Sequence, residues 1–313
     1  MARAHVDPEA WAKKVRIWKI AAIALGSILV ITITTVLLLN KVILPSLRNS
    51  RGYSQAEEAL AAGNIPEAID RFSVLWNYED CRDRATELAF SAQPDDSFLQ
   101  MIQAARLGDT VTFGRWEQDG NPGNGPEPIS WFVLADGEGR LLLLSEQILD
   151  QMPYNDSDAP ITWAECSLRA WLNDSFYHTA FTPEEQMLIP LTRVENVGNP
   201  ASGAEGGADT EDHVYILSDI ELRVYYIYNP NMEKITAVPT SYAISRGAEV
   251  HTEWRTACWW FRSPGIQQNC VNYCDMSGSI LFSRAANHVG FGVRPIIWVF
   301  SPGRTETTLY QNQ

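Results

Sequence analysis

A run of twenty uncharged residues, Ile20 to Leu39, constrains this chain most strongly. At about 1.5 Å per helical residue, the run spans the roughly 30 Å hydrocarbon core of a bilayer. We therefore predict a transmembrane helix over residues 20–39. The alternatives are a buried helix of a soluble domain and a cleaved signal peptide. The signal peptide is disfavoured because the run is longer than a usual h-region and no small-x-small cleavage site follows it.

The charge of the chain is unevenly distributed around this run. The first nineteen residues carry five basic and two acidic side chains, a net charge of 5 − 2 = +3. The whole chain has a net charge of −14, so the remainder carries −14 − 3 = −17. Because basic flanks stay in the cytoplasm, we predict a cytoplasmic tail over 1–19, a single pass through the plasma membrane and an extracellular C-terminal part. The acidic remainder argues against a nucleic-acid partner.

Residues 50–105 have a helical period, with apolar side chains at three- and four-residue steps. We predict a helical stalk there. Its key positions resemble those of a single tetratricopeptide unit: Tyr53, Leu60, Gly63, Ala68, Phe72 and Tyr78. One such unit cannot bury its own apolar face. A stalk that packs on the next domain is therefore favoured over a peptide-binding array.

From Gly108 onward the chain consists of short apolar or alternating segments separated by glycine, proline and asparagine clusters, a pattern typical of strands and turns. Residues 166–189 have a helical pattern, and strands return in the last part of the chain. Strands, then helices, then strands predict an α+β domain over 106–302. A polar tail, 303–313, follows.

Five segments of this region resemble the bacterial DUF6273 domain family over about residues 106–300: GDTVTFGRWEQDGNPGNGPEPISWFVLA, CSLRAWLNDSFYHTAFTPEE, YILSDIEL, WWFRSPG and GVRPIIW. The resemblance implies a domain without an assigned activity, one that often follows a membrane anchor or helical repeats on the surface of Gram-positive bacteria. WWFRSPG and the later GFGVRP are also distantly similar to part of the C-type-lectin-like fold of formylglycine-generating enzymes and of variable proteins from diversity-generating retroelements. The resemblance therefore implies a C-type-lectin-like domain with short strands and one or two main helices.

The same resemblance raises an enzymatic alternative. Formylglycine-generating enzymes hold copper with two late cysteines, and Cys270 and Cys274 lie in a comparable region. Thiolates suit Cu(I), so a copper-dependent thiol oxidase is the alternative function. However, the Cys-x3-Cys spacing is one residue shorter than in the enzymes, and residues four apart in a strand are roughly 13 Å apart. A disulfide or two unrelated thiols are the other interpretations, and no cofactor is predicted. The five cysteines allow at most two disulfides, whose pairing stays open.

Other chemistry finds less support in the sequence. The chain has no convergent carboxylate motif of the calcium-dependent lectin kind. It also has no Gly-x-Ser-x-Gly motif, and its histidines fall outside recognised triad motifs. An enzyme is therefore the less favoured class.

The aromatic segment CWWFRSP suggests a binding surface. Alternation in a strand places Trp259 and Phe261 on one face, and Trp260 and Arg262 on the other. An indole beside a guanidinium can stack on a sugar or a flat ligand, although an internal role that holds the strand in place is favoured.

The other binding candidates lie on loops and late strands near the end of the domain, where binding residues tend to occur. The candidate ligand-binding residues are Trp260, Arg262, Asn272, Tyr273, Asp275, Asn287 and His288. The predicted function is a membrane-anchored extracellular module that binds a glycan, a peptide or another cell-envelope component. A structural envelope protein without a ligand is a further alternative.

Overall fold

The computed structural model describes Arg16, Trp18, Val30 and residues 32–91, 96–228 and 235–302. It divides into two compact units, Met1–Gln55 and Ala56–Gln313. Most of the predicted cytoplasmic tail 1–19, more than half of the predicted transmembrane segment 20–39 and all of the tail 303–313 lie outside the described residues. Within the part described, no helix combines the length and apolarity needed to cross a bilayer.

In the first unit, a π-helical turn, Leu39–Ile43, leads into helix α1, Leu44–Ala61, whose residues up to Gln55 belong to this unit. Large apolar side chains between Val30 and Leu47 are 41–62% exposed. This segment therefore presents an apolar surface.

Three helices follow: α2 (Ile65–Val74), α3 (Cys81–Ser91) and α4 (Asp96–Ala104). Asn64 caps α2, because its side-chain carbonyl accepts the N–H of Glu67. Gly63 makes the preceding turn at a φ of 77°, a conformation that favours glycine. The described residues of the range 50–105 form these helices and the turns between them.

The helical segment packs on the β-rich part of the second unit. The rings of Trp76 and Phe300 stack with centroids 5.8 Å apart. The Arg140 guanidinium lies 4.4 Å from the ring centroids of both Trp76 and Trp298. These contacts cross the predicted domain boundary near residue 106.

The described residues of the second unit form two five-stranded sheets and one two-stranded sheet. The twelve strands among the described residues are β1 (Thr110–Trp116), β2 (Glu127–Gly137), β3 (Arg140–Ser145), β4 (Asp150–Gln151), β5 (Thr192–Val194), β6 (Thr210–Asp212), β7 (Val214–Tyr215), β8 (Trp259–Pro264), β9 (Cys270–Cys274), β10 (Ile280–Ala285), β11 (Gly292–Val293) and β12 (Ile296–Phe300). The first sheet has the order β1-β2-β3-β12-β7, and the second has the order β10-β9-β8-β11-β4. Strand pairs are antiparallel except β8–β11, which is parallel.

Short helices connect the strands. They are a 3₁₀ turn (Trp163–Glu165), α5 (Ser167–Trp171), a π-helical turn (Leu172–Phe176), α6 (Tyr177–Ala180), α7 (Pro183–Gln186), α8 (Asp219–Tyr228) and α9 (Ser241–Ser245). Thr182 and Glu185 form a capping box at the start of α7. The predicted α+β class is confirmed. The helical pattern over 166–189 is also confirmed, and it consists of several short helices and helical turns.

Strand β8 lies in the middle of the second sheet, between β9 and β11. All six of its residues are buried. A strand covered on both faces does not show simple alternation between core and solvent. This placement determines what the aromatic segment can do.

Candidate functional site

A cleft of about 180 Å³ opens where the end of β8 meets the start of α8 and the segment 195–206. We call it the Arg262 cleft. Arg262 and Ser263 come from β8, Glu221 comes from the first turn of α8, and Ser218 directly precedes that helix. The cleft therefore combines a strand end, a helix start and a glycine-containing loop segment.

Arg262 is held rigidly at the base of this cleft. Its side chain is 5% exposed, and both terminal nitrogens contact the Glu221 carboxylate, with Nη2 to Oε1 at 2.7 Å. Nη1 also donates to the carbonyl of Ile216 at 3.1 Å, and Nη2 donates to that of Glu195 at 3.3 Å. Burial opposes the charge, but the Glu221 carboxylate outweighs burial and raises the pKa of Arg262. The guanidinium stays charged.

Glu221 also caps the helix that carries it. The Ser218 N–H donates to Glu221 Oε2 at 2.8 Å, and the Glu221 N–H donates to Ser218 Oγ at 3.0 Å. This reciprocal pair is a capping box at the start of α8. Both carboxylate oxygens are therefore already engaged as acceptors, which disfavours Glu221 as a general base.

Two exposed apolar side chains line the cleft, together with the exposed residue Glu195. Val197 is 60% exposed and Ile220 is 49% exposed, and both line the opening. On the β8 side, Ser263 Oγ accepts the N–H of Asp219 at 3.1 Å. Apolar walls with a few fixed polar groups are typical of sites for small ligands.

The segment 195–206 is tied to the sheet. Asn199 donates from its side-chain amide to the carbonyls of Pro264 and Gly265, at 3.3 and 3.1 Å. Gln268 exchanges hydrogen bonds with the backbone of Glu205, at 2.8 and 3.0 Å. This glycine-containing segment is therefore hydrogen-bonded to the end of β8 and to the turn that follows it.

The structure does not bring all of the predicted ligand-binding residues to one site, although three of them surround Phe291. Arg262 lines the cleft, but Trp260 is 0% exposed and lies in the core. Its indole N–H donates to the carbonyl of Met152 at 3.0 Å, and its ring packs on Phe291 at 4.8 Å. Stacking of Trp260 on a ligand stays a prediction, and the burial of the ring argues against it.

Two further predicted residues surround the same Phe291 ring. Tyr273 is 7% exposed with its ring 4.7 Å away, and the partly exposed His288 ring lies at 4.4 Å. Burial, reinforced by the positive charge of Arg284, lowers the pKa of His288. We call Trp260, Tyr273, His288 and Phe291 the Phe291 cluster; its contacts are those of a core.

The remaining predicted residues have separate positions. Asn272 is 2% exposed and donates to Asp219 Oδ1 at 3.3 Å. Asp275 accepts the N–H groups of Ser277 and Ser279, at 2.9 and 2.8 Å, and so shapes the turn before β10. Asn287 is exposed. Among the described residues that line the cleft, Arg262 is the one member of the predicted set.

The structure leaves all five cysteines as free thiols. Cys270 and Cys274 occupy opposite ends of β9. Burial raises the pKa of Cys274 to about 12. The two thiols are therefore not arranged as a pair for one copper ion, which removes support from the oxidase alternative.

Thiol labelling checks this arrangement. We expect Cys270, which is partly exposed, to react with an aromatic disulfide reagent in the native protein, and the four buried thiols to react only after denaturation. Stoichiometric Cu(I) should leave the rate for Cys270 unchanged, and Cys270→Ser should abolish the fast phase. Protection of two thiols by one equivalent of copper would contradict this expectation.

Sequence reasoning missed the partners of Arg262. Glu221 lies 41 positions away in sequence, so local spacing does not link the two residues. The Ser-Asp-Ile-Glu segment, 218–221, was nevertheless a readable capping-box signal. Val197 and Ile220 carried no recognisable signal, because a single apolar residue in a loop or at a helix start is common.

A cluster of three carboxylates lies at the β1–β2 connection, with two on the loop and one at the start of β2. Oxygens of Glu117, Asp119 and Glu127 lie within 4.8 Å of one another. Glu117 accepts the N–H of Gly120 at 2.7 Å, and Glu127 accepts that of Gln118 at 2.7 Å. A hydrogen bond from the Asn124 amide lowers the pKa of Asp119. These bonds order the loop.

Comparison with known proteins assigns the chain to a family. Neither the curated proteins nor the solved structures contain a match to it. A family model described as a domain of unknown function, DUF6273, matches residues 138–301, just over half of the chain. The match contains α8 and β8 and thus the elements that build the Arg262 cleft. Strands β1 and β2 precede the matched residues, although β2 pairs with β3 inside them. The chain belongs to the DUF6273 family.

Proposed function

We propose that the chain is a binding module and that the Arg262 cleft receives a small group of its ligand. The ligand is a glycan, a peptide or another cell-envelope component. The observation that supports this proposal is the cleft itself, in which a fixed ion pair lies beside two exposed apolar side chains. Because these polar groups are already fixed, binding a ligand does not cost the conformational entropy of ordering their side chains.

The chemistry of the cleft favours binding over catalysis. Of the described residues that line it, none is a histidine or a cysteine. Glu221 is occupied by Arg262 and by the Ser218 N–H. A nucleophilic mechanism needs a side chain activated by a nearby base, and these contacts provide no such pair.

The charge of the domain limits the ligand. Outside the first nineteen residues the chain carries a net charge of −14 − 3 = −17. Such a surface repels polyanions. Neutral or cationic envelope components are therefore the favoured ligands.

We also propose that residues 20–39 anchor the module in the plasma membrane, with residues 1–19 in the cytoplasm and the domain outside. The exposed apolar side chains between Val30 and Leu47 support a lipid-facing segment. The family resemblance supports display on a Gram-positive bacterium. The C-type-lectin-like fold and a tetratricopeptide-like stalk remain part of this proposal.

Filling the cleft tests the binding role. The probes are an array of soluble envelope glycans and peptides, applied to the full-length protein. Val197→Trp places a large ring at the mouth, and we expect it to weaken binding of the retained probe at least about tenfold, or about 1.4 kcal/mol.

The matched control is Val238→Trp, at an exposed valine that is not on the described lining of the cleft. It should leave binding unchanged, and both variants should unfold at the wild-type temperature. Equal loss in both variants, or no retained probe on the wild type, would refute the proposal.

A further inference from the structure

A short rigid loop presents a tryptophan to solvent on the second unit. Residues 250–257 are closed at the base by an antiparallel bridge between Val250 and Ala257. Inside the bridge, the His251 N–H donates to the Thr256 carbonyl at 2.8 Å. The Arg255 N–H donates to the His251 carbonyl at 2.9 Å. We call this segment the Trp254 loop.

The loop also contains a residue in an unfavourable backbone conformation. Arg255 has a φ of 63°, in the left-handed region that side chains other than glycine, asparagine and aspartate seldom adopt. Backbone strain of this kind persists where the surrounding structure enforces it, and it concentrates at functional segments. Here it fixes the turn that follows Trp254.

The indole of Trp254 has one covered face and one open face. It stacks on the His251 ring with centroids 4.1 Å apart and an angle of 14° between the planes. His251 Nδ1 in turn accepts the N–H groups of Glu253 and Trp254, at 3.3 and 3.2 Å. Trp254 is nevertheless 56% exposed, whereas Trp259 and Trp260, a few positions later, are 0% exposed. The fold holds this ring in place without burying it.

An immobilised ring with an open face is suited to bind another flat apolar surface. The C–H face of a pyranose ring is such a surface, and its hydroxyl groups then need donors and acceptors at the edge of the platform. Glu253 and Arg255, which are both exposed, flank the ring in sequence and supply both kinds of group. Because the loop is already ordered, stacking costs little conformational entropy.

The opposite charges of Glu253 and Arg255 favour a neutral ligand over a charged one. A cationic partner would meet Arg255, and an anionic partner would meet Glu253 and the acidic domain. A neutral polyol uses donors and acceptors together. The base of the loop is also joined to a predicted binding segment, because the Glu249 N–H donates to the carbonyl of Gly290 at 2.9 Å, beside the segment with the exposed Asn287.

We propose that the Trp254 loop is a stacking platform for a neutral saccharide. This site goes beyond the proposed function, because no residue of the loop is on the described lining of the Arg262 cleft. It names a second surface and the chemical class of its ligand.

The test uses the full-length protein in a detergent without a sugar headgroup. The probes are neutral gluco-, manno-, galacto- and N-acetylglucosamine oligosaccharides, and titration calorimetry gives the affinity. We expect at least one series to bind. Trp254→Ala should weaken it about tenfold or more, which corresponds to the loss of one aromatic contact of about 1.4 kcal/mol. Trp254→Phe, which keeps a smaller ring, should retain part of the affinity.

The matched control is Ile266→Ala, which removes another exposed apolar side chain, 54% exposed, outside the loop. It should leave saccharide binding unchanged. Binding that survives Trp254→Ala, or no binding of any oligosaccharide to the wild type, would overturn the platform. Saccharide binding lost in Val197→Trp but kept in Trp254→Ala would overturn the platform and support the cleft.

Discussion

Replacing Glu221 with alanine is expected to lower the free energy of unfolding by about 3 kcal/mol, the lower end of the range for removing one partner of a buried ion pair. The variant leaves Arg262, whose side chain is 5% exposed, as a buried charge without its carboxylate. The two carbonyl oxygens that remain as acceptors, those of Ile216 and Glu195, cannot neutralise that charge. Glu221 itself is 28% exposed, which limits the expected loss.

Urea denaturation of the full-length protein measures this loss, and two variants separate its causes. Ser218→Ala removes the hydroxyl of the capping box but keeps the ion pair, and it should cost about 1 kcal/mol. Asp209→Ala breaks the exposed Arg193–Asp209 pair, whose side chains are 59% and 37% exposed. A surface pair of this kind contributes about 0–1 kcal/mol. If Glu221→Ala lowers the free energy of unfolding by no more than Asp209→Ala does, the Arg262–Glu221 ion pair does not stabilise the domain.

Elements that depend on local chemistry could be predicted from the sequence. The strand–turn pattern after Gly108 depends on residues a few positions apart, and the structure confirms it. The turn at Gly63 and the capping box at Thr182 are equally local. The sheet order could not be predicted in this way. Strand β12 pairs with β3, about 150 positions earlier, and β8 pairs in parallel with β11. Such pairings depend on how whole layers pack, which no short segment encodes.

The candidate site also contains residues that could be predicted from the sequence and residues that could not. Arg262 was predicted because its neighbours in the strand are distinctive, and the structure places it on the cleft. Trp260 was predicted from alternation, which assumes that one face of the strand meets solvent. Both faces of β8 are covered, so the alternation held no information about exposure. Trp254 escaped notice because a single tryptophan among polar residues does not show whether the fold leaves it exposed.

A matched pair of tryptophan substitutions separates the core from the surface. Trp260→Ala is expected to lower the free energy of unfolding by about 3–5 kcal/mol, the usual cost of removing a buried aromatic side chain. The change opens a cavity beside Phe291 and leaves the Met152 carbonyl without its indole donor.

Trp254→Ala removes the same side chain from a position that is 56% exposed, and we expect it to change stability by less than about 0.5 kcal/mol. Urea denaturation of both variants measures the two losses. The slope of the free energy of unfolding against urea concentration should keep its wild-type value. A small loss for Trp260→Ala would mean that its ring is not part of the core, and a ligand-stacking role would regain support. A large loss for Trp254→Ala would instead make that ring structural. A large loss of stability for Trp260→Ala and a small one for Trp254→Ala would show that the two rings have different roles. Trp260 holds β8 in the sheet, and Trp254 stays available to a ligand.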